Sequence, residues 1–183
     1  KLLDAKKSDH GHLDIVDDFA HPLPVAVISE MLGVPAEDTP RFEVWVPLLV
    51  RILEPEQAVS KTETEQAGQA AAEMRDYLSD LIAARRARPA SDLLSGLATT
   101  TTTSNNQTVQ MNDEELLTIS ILLIGAGYET TVNLITNSML TLLRHPDALA
   151  KLRRDPNSII RTVEEVLRFD PPVHFRIRTT LTD

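Results

Sequence analysis

Leu116-Leu117-Thr118-Ile119-Ser120-Ile121-Leu122-Leu123-Ile124-Gly125-Ala126-Gly127-Tyr128-Glu129-Thr130-Thr131 decides the fold class. Its first nine residues are apolar on almost every side, the signature of a helix that runs through the middle of a protein. Asn112 can cap this helix, and Glu115 follows three residues later, as in a capping box. Met111 and Leu116 stand where a hydrophobic staple would close. The helical pattern continues from Asp113 to about Arg144, roughly 30 residues and on the order of 45 Å.

Working outward, the rest of the chain also favours helix. Glycine is scarce, with 6 in 183 residues, and aromatics make up 4%; Ala, Leu, Glu and Arg are many, and these prefer helix to sheet. Asp14 to Met31 reads as a helical entry, a break at His21-Pro22-Leu23-Pro24, and a second helix. Val25, Ile28, Met31 and Leu32 form its stripe, and Gly33 and Pro35 stop it. Glu37 to Leu53 carries Phe42, Trp45, Leu49 and Ile52 at helical spacing, closed by Glu54-Pro55-Glu56. Thr62 to Arg88 is a long helix with Ala70, Met74, Tyr77, Leu81 and Ala84 inward. Ser91 to Ala98 is a short helix. The threonine-rich stretch Thr99 to Gln110 reads as a solvated loop. Pro146 to Asp155 and Ser158 to Phe169 are helices, the second with Ile159, Ile160, Val163, Val166 and Leu167 on one face. Val173 to Leu181 is the only segment with a strand pattern. A mainly α fold in one domain over residues 1–183 is expected, with a short β element at the C-terminus.

Composition bounds the function. The net charge of −9 argues against unaided nucleic-acid binding, which depends on Lys and Arg neutralising phosphates. It also argues against adhesion to an anionic membrane. The longest apolar run, Leu116 to Ala126, has 11 positions, whereas a membrane span needs about 20. Lys1 to His10 is too polar for a signal peptide, so a cytoplasmic protein is expected. There is no cysteine, which removes disulfides, a thiol nucleophile and thiolate metal ligands from these residues.

Two motifs carry chemistry. Gly125 and Gly127 each cost about 1 kcal/mol against alanine inside a helix. Their spacing fits two readings: a tight helix–helix crossing, with Thr130 and Thr131 bonding back to their own helix, or a flat ligand lying against the backbone. Leu123, Gly127, Thr130 and Leu134 share a face, which puts Thr130 beside the gap at Gly127. The second motif is Glu165-Val166-Leu167-Arg168, an i, i+3 ion pair. Taken alone it reads as an ordinary surface salt bridge.

Taken together, in this order, the two motifs resemble one family: the cytochromes P450, haem-thiolate monooxygenases, in their soluble bacterial branch. Ala126-Gly127-Tyr128-Glu129-Thr130 is similar to the family's oxygen-activation motif, in its long central I helix. Glu165-x-x-Arg168 is similar to its K-helix motif. His21-Pro22-Leu23-Pro24 through Val34-Pro35 resembles the E helix. Arg86-Ala87-Arg88-Pro89 through Ser95 resembles the G-to-H junction, and Arg144-His145-Pro146 the I-to-J junction. The resemblance covers essentially the whole chain.

The resemblance implies a P450-fold fragment running from helices D/E to K. It implies haem b in a full-length parent, with electrons from NAD(P)H delivered by a ferredoxin or flavodoxin and its reductase. It implies oxygen insertion into a small organic substrate. Glu129 and Thr130 would be catalytic, supporting proton delivery. Ala126, Gly127 and Arg178 would contact haem, Arg178 through a propionate. Leu122, Gly125, Val173, His174, Phe175 and Ile177 would contact substrate. Glu165 and Arg168 would be structural. The axial cysteine is absent from these residues, so no metal ligand is expected here, and the piece alone is expected to be inactive. Two other readings are weighed: a non-catalytic all-α packing module, and a metal-dependent enzyme built on Asp14, Asp17 and Asp18, which a solvated helix face explains better.

Overall fold

The computed structural model describes residues 12–51, 59–104, 107–175 and 178–179. Two compact units divide the chain: His21–Glu129 forms one, and Thr130–Asp183 with Lys1–Ala20 forms the other. Helices dominate both, as the sequence leads one to expect.

The first unit opens with α1 (Pro22–Leu32). Pro22 and Pro24 do not break a helix here. They fall in its first turn, where a missing N–H costs nothing because those amides lack helical partners. Gly33 ends α1 in the left-handed conformation, φ 78°. Helix α2 (Thr39–Arg51) continues through Pro47. It buries Phe42, Trp45 and Val46 against α3 (Lys61–Ala87). The closing signal Glu54-Pro55-Glu56 and the stripe residue Ile52 lie outside the described residues.

Helix α3 begins with a full capping box. The Glu63 amide donates to Ser60 Oγ at 3.2 Å, and the Ser60 amide donates to the Glu63 carboxylate at 2.8 Å. Its buried face is Ala67, Ala70, Met74, Leu78, Leu81 and Ile82. Tyr77 is half-buried and Ala84 exposed, so the stripe turns one position away from the one read in the sequence. Tyr77 stacks edge-on against Phe42 at 5.4 Å between ring centroids. Its hydroxyl donates to Asp38 at 2.8 Å. Burial, then the Asp38 carboxylate, pushes the phenol above its ordinary value.

Helix α4 (Leu93–Thr99) is capped by Asp92, whose carboxylate accepts from the Ser95 amide at 2.7 Å. The other Asp92 oxygen accepts from Arg85 Nε at 2.5 Å, and Arg85 Nη2 donates to the Gly33 carbonyl at 2.5 Å. The Asp92 side chain is only 6% exposed. Its burial raises the carboxyl pKa, but the Ser95 and Arg85 hydrogen bonds outweigh that, and the net shift is downward.

The threonine-rich stretch is not a plain loop. Strands β1 (Thr101–Ser104) and β2 (Gln107–Gln110) pair antiparallel, with Thr101 opposite Gln110 and Ser104 opposite Gln107. Threonine is β-branched, and a run of it favours extended backbone; reading for alternation misses that. Helix α5 (Asp113–Arg144) follows, with the bounds its sequence pattern gives. The division between the units falls inside α5, after Glu129.

The second unit holds the rest of α5, then α6 (Pro146–Arg154), a 3₁₀ turn at Pro156–Ser158 and α7 (Ile159–Phe169). A π-helical turn at Val16–Ala20 also belongs to it. Only Val166 of the expected α7 stripe is buried; Ile160 is 73% exposed. No described residue of the C-terminal segment, 173–175 and 178–179, is in a strand; Arg176, Ile177 and Leu181 lie outside the described residues.

Two outcomes follow from the ends of α1 and α3. A Cβ on Gly33 would overlap the Asp92 carboxylate and sit at positive φ. Gly33→Ala is therefore expected to lose roughly 1–3 kcal/mol in urea unfolding, and Arg85→Ala about 2 kcal/mol. The double variant should lose less than the sum, since each change already breaks the same contact. Separately, the Ser60 amide and hydroxyl and then Arg51 hold Glu63 down to about 2 from 4.5. Its contribution is thus present above pH 4.5 and lost as pH falls from 4.5 toward 2. Glu63→Gln should flatten the pH dependence of the urea midpoint in that window.

Candidate active site

The site is built on α5, and its N-terminus is held by charge. Both arms of the capping box are formed. The Asn112 amide donates to Glu115 at 2.8 Å, and the Glu115 amide donates to Asn112 Oδ1 at 2.9 Å. Two arginines of α3 reach the acidic first turn: Arg75 to Glu114 at 3.1 Å and Arg86 to Asp113 at 2.6 Å. Arg86 also donates to the carbonyls of Ala98 and Met111. Acids at a helix start are favoured by its dipole.

Beyond the cap, α5 has two distinct sides. Leu116, Leu117, Ser120, Ile124 and Tyr128 are buried. On the other side Thr118, Leu122, Ala126 and Glu129 are exposed, Leu122 by 59%. These repeat at steps of four, four and three, so they share a stripe. Gly125 lies at its edge, half-buried. The open stripe thus runs through Ala126 and Glu129 rather than through Leu123, Gly127 and Thr130, which are half-buried.

The space around the two glycines bears on the two readings of their spacing. A Cβ on Gly125 would meet nothing within 4 Å. A Cβ on Gly127 would meet only Ile28 Cδ1, at an ordinary 3.8 Å. Among the described residues no tight helix crossing requires either one. The side chains beside Ala126 on this stripe are open to solvent.

Tyr128, between Gly127 and Glu129, is 3% exposed. Its hydroxyl and His21 Nδ1 are 2.5 Å apart in a hydrogen bond, and the two rings stack at 5.7 Å with 28° between planes. This pair is not evident from the motifs of the sequence. A signal existed for half of it: the stripe Ser120–Ile124–Tyr128 puts Tyr128 inward, and a buried tyrosine hydroxyl finds a partner. That the partner lies 107 residues away is not legible from one sequence.

In the second unit, Arg168 grips Glu165 with two hydrogen bonds, Nε to Oε2 at 2.8 Å and Nη2 to Oε1 at 2.6 Å. Both side chains are exposed, 61% for Glu165 and 70% for Arg168. The hydrogen bond from Arg168 holds Glu165 below the usual carboxylate range, and Arg168 is raised in turn. Glu165 also borders a cavity of about 450 Å³ lined by Leu142, His145, Leu152, Val166 and Phe169. Val173, His174, Phe175 and Arg178 are exposed; Ile177 lies outside the described residues. Leu122, Gly125, Ala126, Gly127 and Glu129 belong to the first unit, and Thr130 with the remaining candidates to the second.

The acidic cluster has a local role. Asp14 Oδ1 accepts from the amides of Val16 at 2.9 Å and Asp17 at 3.2 Å, and Asp18 Oδ2 accepts from the Asp14 amide at 3.0 Å. That is a capped turn. No group of three His, Cys, Asp or Glu side chains is placed for a metal among the described residues.

With this geometry in hand, comparison with known proteins is direct. The profile of the Cytochrome P450 family matches residues 5–183. The chain belongs to the cytochrome P450 family. It is 44% identical over 163 residues to the cytochrome P450 monooxygenase PikC of Streptomyces venezuelae, covering 89% of this chain and 36% of PikC. It is 41% identical over 172 residues to the 6-deoxyerythronolide B hydroxylase of Saccharopolyspora erythraea, covering 94% of this chain and 40% of the hydroxylase. The structure superposes on CYP109E1 of Bacillus megaterium, solved with testosterone, at a TM-score of 0.79 and 33% identity, over 92% of this chain and 43% of that one. The chain therefore spans about 40% of the length of the P450s it matches. Helix α5 of this P450 chain is long and apolar enough to cross a membrane by length and composition. The core helix of a water-soluble protein has the same two properties.

Because the Glu165–Arg168 pair is exposed to water here, its local value is small. Glu165→Ala in the 183-residue chain is expected to leave the urea midpoint within the scatter of the wild type. A large loss of stability would show that the pair braces more than its own helix.

Proposed function

We propose that this chain supplies the oxygen-activating helix and the adjoining structural helices of a bacterial P450 monooxygenase. The observation that carries this reading is the open stripe at Leu122, Gly125, Ala126 and Glu129, whose glycine no packing contact among the described residues requires. The enzyme inserts one oxygen atom into a small organic substrate and releases the other as water. It works in the cytoplasm, with two electrons from NAD(P)H delivered by a ferredoxin or flavodoxin and its reductase.

Haem b, when bound through a thiolate, supplies the iron chemistry that reduces dioxygen. The 183 residues contain no cysteine, so the thiolate comes from outside them. The residues present suit the flat face of the group. Ala126 and Gly127 let a ring approach the α5 backbone. Arg178 holds a propionate through its guanidinium fork. Leu122, with Gly125, Val173, His174, Phe175 and Ile177, supplies contact to substrate. Glu165 and Arg168 serve a structural role in the full-length fold, through groups outside these residues.

Glu129 and Thr130 handle protons. Glu129 is an exposed carboxylate on the open stripe, able to take a proton from solvent and pass it inward. Thr130 follows it on the same helix, and its hydroxyl holds and orients the hydrogen-bonded proton that breaking the O–O bond needs. Thr131 lies about 100° further round and faces elsewhere.

The test uses the full-length P450 that carries this chain. Thr130→Ala should keep substrate binding and first electron transfer and divert reductant to hydrogen peroxide, lowering product per NAD(P)H several-fold. Glu129→Gln should slow turnover by about 100-fold, the lower end of what a positioned proton-transfer group contributes. Thr131→Ala should stay coupled. If Thr131→Ala uncouples and Thr130→Ala does not, the roles shift by one residue; if neither does, the motif serves packing alone.

A further inference from the structure

Helix α1 meets α5 at two consecutive residues of the motif. Ile28 stands 3.8 Å from where a Gly127 side chain would begin, and His21 is both hydrogen-bonded and stacked on Tyr128. His21 occupies the N-cap position of α1, yet its side chain makes no capping bond. The reason is next to it. Pro22 and Pro24 sit in the first turn and carry no N–H, so fewer amides there need an acceptor. The backbone of His21 is itself in the helical region, so its side chain leaves the chain at the very start of α1. A residue type rarely used as a cap is thus held at a rigid helix start and directed at the α5 motif.

The consequence for α5 is rotational. With Tyr128 turned inward at 3% exposure, Ala126 and Glu129 face outward on the open stripe. A side-chain tip about 5 Å from the helix axis moves roughly 1 Å for a 10° turn. Displacement of that size costs up to about 100-fold in rate when reacting groups must align. We propose that His21 is a positioning residue for oxygen activation: its hydrogen-bonded stack on Tyr128 sets the rotation of α5 that presents Ala126 and Glu129. This rests on the monooxygenase reading above for its catalytic consequence, but not for its structural one.

The test again uses the full-length holoenzyme, with four variants. Tyr128→Phe deletes one oxygen atom and keeps the ring. His21→Phe keeps the stack and loses the hydrogen bond. His21→Asn keeps a nitrogen near the Nδ1 position and loses the ring. His21→Ala loses both. Three quantities are read: product formed per NAD(P)H, the separate values of kcat and KM, and amide hydrogen exchange across residues 125–131 and across α3. Expected are a several-fold fall in coupling and kcat for His21→Ala, His21→Phe and Tyr128→Phe with KM unchanged. Exchange across 125–131 should rise about tenfold with α3 unaffected, and His21→Asn should recover most of the coupling. Wild-type exchange and coupling in both His21→Ala and Tyr128→Phe would overturn the proposal. So would a rise in exchange throughout the protein that His21→Asn fails to reverse, because that marks a merely structural role. If the wild-type holoenzyme oxygenates nothing, the monooxygenase reading fails, while the exchange measurements still decide the role of His21.

Discussion

One guanidinium ties three helix ends together in the His21–Glu129 unit. Arg85, in the last turn of α3, donates to the Gly33 carbonyl at the end of α1 and to the Asp92 carboxylate that caps α4. Each group it serves would otherwise be a helix-end polar atom lacking a partner. The arrangement admits little substitution. Gly33 must take positive φ, and it must lack a Cβ because Asp92 fills that space. Asp92 needs one oxygen for Ser95 and the other for Arg85. Holding the end of α1 constrains the whole of that 11-residue helix, and therefore Ile28 and His21, the two residues that meet the α5 motif.

Helix α5 is consequently fixed from two directions. Its first turn is caught by Arg75 and Arg86 of α3, and its motif by α1. The arginine contacts are largely exposed at the carboxylate end: Glu114 and Asp113 are each 69% exposed. Salt screens such pairs, and their worth is modest. The contact between His21 and Tyr128 differs in kind, since it is partly buried and directional, and salt leaves it largely untouched. Orientation at the motif thus depends on the less screened of the two attachments.

The helices were legible because their signals are local. The capping box at Asn112 and Glu115, the Gly33 stop and the bounds of α5 all rest on residues within one or two turns of each other, and each forms as read. Pro22 and Pro24 misled in position only: the same rule that breaks a helix interior makes proline welcome in a first turn. The paired strands at 101–110 are hidden in the sequence because a threonine run is polar by composition, which suggests a loop, yet extended by χ1 stiffness. Burial on α7 was read from periodicity, yet Ile159, Ile160, Val163 and Leu167 are exposed. Periodicity shows which residues share a face and is silent on what covers it. The same holds for the site. The motif residues were quoted from the sequence, while the side of α5 that lies open, and the histidine that helps set it, depend on packing between segments over 100 residues apart.

Gly125 and Gly127 sharpen that last point. Each weakens a helix by about 1 kcal/mol relative to alanine. Gly127 has room for a methyl group against Ile28, and Gly125 has open space. Alanine at either position would strengthen α5 without a clash among the described residues. A helix with a formed capping box and an acidic first turn is otherwise well matched to its own dipole, so the two glycines run against its local design. Local rules broken without a local gain tend to mark functional sites. Packing among the described residues does not offset them. On the proposed function, the offset at Gly125 is the close approach of a ligand to the open stripe that it borders, and Glu129 and Thr130 follow immediately along the helix.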